Sequence, residues 1–378
     1  MIASPAIALR DYQLADGLRA TQGTVWLTGT QALVRLMLMQ RALDDATGIK
    51  TAGFVSGYRG SPLGMVDQQM WKAAKLLEAA GVQFLPAINE DLAATACLGT
   101  QRVALDAKRT HDGVYALWYG KGPGVDRAGD ALKHGHVYGS SALGGVLVVC
   151  GDDHGCVSSS MPHQSDTALM HFGMPVLHPA NVAEYLEFGL YGWALSRFSG
   201  AWVGFKAISE VVESGMTVDL DAMPLDFGLP VDFAPSQSLH VRSIDLPSLT
   251  LEERAAMKLD AVRAFARVNM VDKHIVASPR ATFIAGVTST RMVGSKKLPP
   301  SAWRLPPAST RAPFSTASAM CSSTLATAFM SISGPWVLPS ARPLPTFRRA
   351  TAAASLAAKA SYTPSCTSRR LAHTQVWP

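Results

Sequence analysis

Apolar runs and helical periodicity alternate along residues 24–209 of the chain. Each run is apolar at consecutive positions, as expected for strands buried on both faces of a parallel sheet. The predicted strands are residues 51–58, 82–88, 114–120, 144–151, 175–180 and 201–209. Helical patterns flank them at about 30–46, 64–80, 90–108, 126–138, 160–172 and 181–198. This alternation predicts an α/β fold, a doubly wound and mainly parallel sheet.

The pattern changes after residue 209 and divides the chain into five predicted segments. An N-terminal segment, 1–23, precedes the α/β domain, 24–215, and a proline-punctuated linker, 216–250, follows it. A helix pattern and an apolar run at 251–280 indicate the first helix and strand of a next domain. Residues 281–378 form a low-complexity tail.

The tail differs from the rest of the chain in charge. Residues 281–378 carry 11 Lys and Arg and no Asp or Glu, whereas residues 1–280 carry 23 basic and 28 acidic residues. The basic residues are scattered among Trp, Phe and Leu, and no hydrophobic period persists. Translation of a GC-rich gene in the wrong frame gives such a composition, so we expect an unstructured, out-of-frame tail. A basic tail that binds nucleic acid or membrane is the alternative.

Composition excludes several classes of protein. With 48% hydrophobic and 16% charged residues among 378, the chain is globular rather than disordered. The longest apolar runs are too short to span a membrane, and the first residues lack a signal-peptide pattern. Five cysteines without CxxC spacing fit a cytoplasmic protein, and they argue against zinc or iron–sulfur ligands in this chain.

Polar and glycine-rich motifs follow the predicted strands, where parallel sheets bind ligands. They are GYRGSPLG (57–64), NED (89–91), YGKGPGVDR (119–127) and GDDHGCVSSSMPHQSD (151–166). The glycine-rich motif matches neither the GxxxxGK[ST] nor the GxGxxG nucleotide pattern. Each motif also has a structural interpretation: a strand-to-helix turn, a solvated loop or, for Glu90 and Asp91, helix capping after Asn89. Capping suits Asp91, which we expect to be the more exposed of the two acids.

Metal and hydrolase chemistry are not expected. The loop at 151–166 contains ligand types, but their spacing matches no common zinc or iron pattern, so we predict no protein-bound metal. No GxSxG motif occurs and the serines 158–160 have no placed base, which argues against a hydrolase.

Six segments resemble one known family. They are LTGTQALVRLMLMQRALD (27–44), TAGFVSGYRGSPLG (51–64), INEDLAATACLGTQ (88–101), WYGKGPGVDRAGDALKHG (118–135), GGVLVVCGDDHGCVSSSMPHQSD (144–166) and YGWALSRFSGAWVGFK (191–206). Residues 24–215 are thereby similar to the N-terminal, thiamine-pyrimidine-binding domain of the 2-oxoacid:ferredoxin oxidoreductases. The nearest group is the fused indolepyruvate ferredoxin oxidoreductase-like proteins.

The resemblance implies roles for individual residues. At the position of Glu90 the family has a glutamate that bonds N1′ of the thiamine diphosphate aminopyrimidine and promotes proton removal from the thiazolium carbon. Ser61 lies where the family has a Thr or Ser facing the substrate, and Arg59 is a candidate for the carboxylate of the 2-oxoacid. The remaining residues expected to line the cofactor pocket are Lys121, Gly122, Asp153, His154 and Gln164.

The family reaction is oxidative decarboxylation of a 2-oxoacid to an acyl-CoA with reduction of ferredoxin, and the resemblance implies that the 2-oxoacid is an aryl pyruvate. It uses thiamine diphosphate with Mg²⁺ and an iron–sulfur cluster, and its partners are the 2-oxoacid, coenzyme A and ferredoxin. We expect a homo-oligomer when intact and no nucleic-acid or membrane partner.

The chain also departs from the family pattern. No GDG-type motif for Mg²⁺ and diphosphate and no iron–sulfur ligands occur in it, and a frame break near residue 281 would account for both. We therefore expect an N-terminal fragment that is inactive alone. The alternative is a non-catalytic truncated product, or a pyrimidine-domain subunit that needs a partner chain.

Overall fold

The computed structural model describes residues 12–245 and 248–271. The predicted strand at 273–279 and the predicted tail, 281–378, lie outside the described residues. Eight strands are present in the described part: β1 (Thr24–Thr28), β2 (Thr51–Gly57), β3 (Val82–Phe84), β4 (Gly113–Lys121), β5 (Val146–Gly151), β6 (Val176–Leu177), β7 (Val203–Lys206) and β8 (Gly215–Asp219). The α-helices there are α1 (Asp16–Arg19), α2 (Gly29–Ala46), α3 (Val66–Lys72), α4 (Ala74–Ala79), α5 (Glu90–Gln101), α6 (Gly122–Arg127), α7 (Gly129–Tyr138), α8 (Asp166–Phe172), α9 (Val182–Ser199), α10 (Ser209–Val212) and α11 (Leu249–Asn269).

Six of the strands form one parallel sheet in the order β3-β2-β4-β5-β7-β6. All six match apolar runs of the sequence, so the predicted α/β fold is confirmed. Strands β1 and β8 form a separate antiparallel pair. Strand β8 thus brings part of the segment assigned to a linker into the fold.

Helices cover both faces of the parallel sheet. On one face, Val55 and Leu117 belong to a core cluster with side chains of α2, α3, α4 and α9. On the other face, Ala116 and Trp118 pack with side chains of α5, α7 and α8. Neighbouring positions of β4 therefore face opposite cores, which is why its sequence is apolar throughout.

Buried charged side chains join α9 to α2 and α11 to α7. The Arg197 guanidinium on α9 donates to both carboxylate oxygens of Asp44 on α2, at 2.6 and 2.8 Å. On α11, the buried Lys258 ammonium donates to the carbonyl oxygens of His136 and Val137 near the end of α7, at 2.6 and 2.7 Å. A cation at the carboxyl end of a helix satisfies carbonyl groups that lack a helical partner. Helix α11 is thereby held against the α/β domain.

None of the helices within residues 12–245 and 248–271 combines the length and apolar character needed to cross a membrane.

His136 makes the stability of this fold depend on pH. Burial first, and then the charge of Lys258, lower the pKa of His136 from 6.5 to about 3, while its Nδ1 accepts a hydrogen bond from the Trp202 amide at 3.3 Å. Because the pKa is lower in the folded than in the unfolded chain, neutral His136 contributes stability above pH 6.5 that is lost as the pH falls.

Between pH 6.5 and pH 4, the free energy of unfolding should fall less steeply in His136→Asn than in the unchanged chain. The difference in slope should be up to about 1.4 kcal/mol per pH unit. Urea unfolding at several pH values measures this slope. His134→Asn, which changes an exposed histidine of the same helix, is the control. Equal slopes in all three proteins would show that His136 is not the titrating group.

Candidate functional site

The site lies at the carboxyl ends of β2 and β4, where the direction of the chain connections reverses. Helices α3 and α4 lead from β2 to the edge strand β3, whereas α6 and α7 lead from β4 to β5 on the other side. The two connections also cover opposite faces of the sheet. A reversal of this kind opens a crevice beyond the strand ends, the usual place for a ligand in such sheets.

The loops that follow β2, β4 and β5 meet in this crevice. The Ser61 hydroxyl, after β2, hydrogen-bonds to the Ser158 hydroxyl, after β5. At Gly60 a Cβ would lie 3.0 Å from the Cβ of Lys121, the last residue of β4. The fold therefore brings the motifs at 57–64, 119–127 and 151–166 into contact.

Helix α6 approaches the other loops through two glycines. A Cβ at Gly122 would overlap the imidazole ring of His163, and one at Gly124 would lie 2.6 Å from Oε1 of Glu90. Pro123 occupies the first turn of this six-residue helix, where its missing N–H costs nothing. Glycine at these two positions is what allows α6 to lie between the loops after β3 and β5.

Glu90 is the first residue of α5 and its side chain is 13% exposed. Its carbonyl oxygen accepts a hydrogen bond from Nε1 of Trp118 at 3.1 Å. Within the described residues, no group hydrogen-bonds to its carboxylate; the Nε atom of Arg127 lies 3.7 Å from Oε2. The carboxylate thus keeps its capacity to accept hydrogen bonds from a ligand.

Asp91 and Asn89 account for helix capping at the same place. The Asn89 side chain accepts a hydrogen bond from the Leu92 amide at 2.9 Å. Asp91, at 41% side-chain exposure, is more exposed than Glu90, as predicted. Arg127 lies closer to Asp91, at 3.3 Å, than to Glu90. Capping therefore explains Asn89 and Asp91 but not the turn of Glu90 toward Gly124.

A buried charge cluster lies under the loop after β5. Asp152 is fully buried and accepts hydrogen bonds from the amide and hydroxyl of Ser165, at 2.9 and 2.7 Å. The buried Lys206 ammonium, at the end of β7, lies 3.3 Å from Asp152 and 2.5 Å from Asp166. Burial alone would raise the pKa of Asp152, but His163, Lys206 and the Ser165 donors outweigh it and hold that pKa below its ordinary value. This cluster anchors the loop to the sheet.

Two other predicted residues of this loop make contacts within the protein. The Asp153 carboxylate accepts the amide hydrogens of Val157 and Ser158, both at 2.9 Å. Burial opposes these bonds, yet they keep the pKa of Asp153 below its ordinary value. The ring of His154 bonds through Nδ1 to the carbonyl of His163 at 3.2 Å. Both side chains shape the loop.

The other predicted residues differ in exposure. Arg59 and Gln164 are exposed, whereas Ser61 and Lys121 are half-buried and Gly122 is buried. The loops that carry Glu90, Ser61, Lys121 and Gly122 thus contact one another, while the side chains of Arg59 and Gln164 lie at the surface. Ligand contacts by these residues stay predictions.

The sequence did not assign several charged residues to the site, among them Asp126, Arg127, Asp166 and Lys206. Lys206 carried a signal, because a lysine directly after the apolar run AWVGF marks the polar end of a buried strand. The others lie in helical patterns, where a charged residue commonly faces solvent.

The described residues contain no group of three or more His, Cys, Asp or Glu side chains able to hold a metal ion. A cavity of about 420 Å³ lies at the edge of the sheet between α3, α4 and β3, and none of the predicted site residues lines it.

Comparisons with known proteins add little. No family model and no curated protein matches the chain. Among solved structures, a 2-oxoglutarate:ferredoxin oxidoreductase from Magnetococcus marinus, solved with 2-oxoglutarate, coenzyme A and succinyl-CoA bound, is similar at 16% sequence identity and a TM-score of 0.46. The match covers 65% of this chain and 46% of that one, so the chain spans less than half the length of that protein. A likeness at this level does not identify the function.

The seating of Glu90 on Gly124 can be tested through stability. Gly99, in the last turn of α5, has open space where a Cβ would lie, so Gly99→Ala should raise the free energy of unfolding by about 0.4–1 kcal/mol. Gly124→Ala, also in a helix, should give no gain because its Cβ would meet the Glu90 side chain. Urea unfolding compares the two variants. Equal gains would show that Glu90 does not rest on Gly124.

Proposed function

We propose that residues 24–215 form the aminopyrimidine-binding domain of a thiamine diphosphate-dependent 2-oxoacid:ferredoxin oxidoreductase. One structural observation supports the proposal independently of the sequence resemblance. A largely buried carboxylate, that of Glu90, stands at the first residue of α5, in the connection that follows β3, with no hydrogen bond to its oxygens from the described residues. Such a group suits a ligand that presents an N–H or a ring nitrogen able to share a proton.

The surroundings of Glu90 leave its carboxylate available to a ligand nitrogen. Gly122 and Gly124 place backbone without side chains next to the carboxylate and the loop after β5. The nearest cation, Arg127, is held by Asp91 at the shorter distance, so a ligand nitrogen can take the Glu90 oxygens without displacing it. These features support Glu90 as the partner of N1′.

The roles of the chain's own residues follow from their chemistry. When bound, thiamine diphosphate supplies the electron sink for decarboxylation of a 2-oxoacid. Glu90 shares a proton with N1′ of the pyrimidine, and the exposed guanidinium of Arg59 binds the substrate carboxylate by charge-assisted hydrogen bonds. Ser61 faces the substrate, while Lys121, Gly122, Asp153, His154 and Gln164 line or shape the pocket.

The finer parts of the proposal rest on the resemblance alone. The substrate is an aryl pyruvate such as indolepyruvate, and coenzyme A and ferredoxin take the acyl group and the electrons. A second domain holds the diphosphate and Mg²⁺, and an iron–sulfur cluster passes on the electrons. We expect residues 24–215 alone to bind the cofactor weakly and to give no turnover, since phosphate and metal contacts supply much of the affinity.

Thiamine itself tests the pyrimidine site without the diphosphate. We expect weak, saturable binding of thiamine to the 378-residue chain, measured by saturation-transfer NMR, and none of its isolated thiazole fragment. Glu90→Gln should weaken thiamine binding about tenfold or more, because a hydrogen bond to a charged group is worth about 1.5–3 kcal/mol.

Asp91→Asn is the matched control, because it neutralises the adjacent carboxylate that shares Arg127. Its affinity for thiamine should stay within about twofold of the unchanged chain, since exposed ion pairs contribute little. The proposal is contradicted if the folded chain binds no thiamine, or if both variants bind it equally well.

A further inference from the structure

His163 lies between two carboxylates from different parts of the fold. Its Nε2 is 2.8 Å from Oδ2 of Asp126 on α6, and its Nδ1 is 3.5 Å from Oδ1 of Asp152 at the end of β5. Its side chain is 15% exposed. The ring thus bridges α6 and the buried charge cluster.

Only the charged form of the ring can serve both carboxylates. A neutral imidazole has one N–H and would present a lone pair to one of them, whereas the imidazolium donates from both nitrogens. The charged and titratable groups facing the ring or its backbone are Asp126 from α6, Asp152 from β5, Lys206 from β7 behind Asp152, and His154 from the same loop. The facing carboxylate of Asp152, opposed by burial and reinforced by Asp126, raises the pKa of His163 above its ordinary value.

The ring also determines where α6 can lie. It packs on Gly122 so closely that any side chain there would overlap it. Two residues further along the helix, Gly124 supports the side chain of Glu90. Helix α6 therefore has the His163 ring against its first turn and Glu90 against the next residues, and Asp126 ties it to His163.

We propose that His163, as an imidazolium, is a positioning residue that holds helix α6 beneath Glu90. Deprotonation releases one of the two carboxylates and loosens α6, which moves the surface on which Glu90 rests. Binding at Glu90 then depends on the protonation of a histidine in another loop. The functional consequence rests on the proposed aminopyrimidine site; the coupling between His163 and Glu90 does not.

The coupling can be measured without a ligand. The Trp118 indole donates to the Glu90 carbonyl, so the fluorine resonance of 5-fluorotryptophan at this position reports on the start of α5. We expect this resonance, assigned with Trp118→Phe, to titrate with a midpoint above pH 6.5, the ordinary pKa of histidine. His163→Gln should abolish the titration. Asp126→Asn removes one of the two carboxylates that face the ring and should move the midpoint to lower pH.

His134→Gln is the matched control, because this exposed histidine also faces an aspartate, Asp130, at 3.2 Å. It should leave the Trp118 titration unchanged. A Trp118 resonance that does not titrate between pH 5.5 and pH 8.5, or titrates equally in His163→Gln, overturns the proposal.

Thiamine binding separates this inference from the proposed function. At pH 6.5 we expect His163→Gln to weaken thiamine binding about threefold or more relative to His134→Gln, and at pH 8.5 the difference should shrink. If the fluorine titration holds but the chain binds no thiamine, the aminopyrimidine function is wrong and the positioning role stands. If Glu90-dependent binding occurs but ignores His163 at both pH values, the positioning role is wrong.

Discussion

The arrangement of the site depends on how closely helix α6 approaches the loops around it. A helix normally keeps its neighbours at a distance set by its side chains. Here Gly122 and Gly124 have none, so the His163 ring and the Glu90 carboxylate lie against the helix backbone. Glycine in a helix costs about 0.5–1 kcal/mol relative to alanine. That cost is offset by contacts that connect the loops after β3, β4 and β5 in one crevice.

A second constraint is the charge balance beneath the loop after β5. Asp152 and Lys206 are almost completely buried, and each needs the other because an unpaired buried charge costs about 3–5 kcal/mol. Asp166 and the Ser165 donors complete the coordination of the pair. The cluster therefore fixes the loop that carries His163. The charge cluster thus holds this loop against the sheet, and His163 on the loop contacts α6.

The parallel sheet was predictable because its strands are apolar at every position and its helices follow each strand. The antiparallel pair β1 and β8 was not: β1 alternates, with Trp26 half-exposed, and its partner lies about 190 residues away in a segment that resembles a linker. Helix α6 was hidden for another reason, since GPGVDR has the composition of a turn yet begins a helix with proline in its first turn.

The candidate site was predictable to the extent that motifs follow strands. Parallel strands end at the same edge of a sheet. The proximity of Glu90, Ser61, Lys121 and Gly122 could therefore be predicted without knowing the loop structures. The ion pairs could not be predicted from the sequence, because His163 and Asp126 are 37 residues apart and their pairing depends on how α6 packs. The same holds for Lys206 at the end of β7 and Asp166 at the start of α8, which are 40 residues apart.

In the proposed site, Glu90 receives the nitrogen edge of an aminopyrimidine. A crystal structure of the chain soaked with thiamine tests it most directly. We expect electron density for the pyrimidine ring with N1′ within hydrogen-bonding distance of the Glu90 carboxylate. Thiamine bound elsewhere, or a pyrimidine whose N1′ faces another residue while Glu90 stays paired with Arg127, would contradict it.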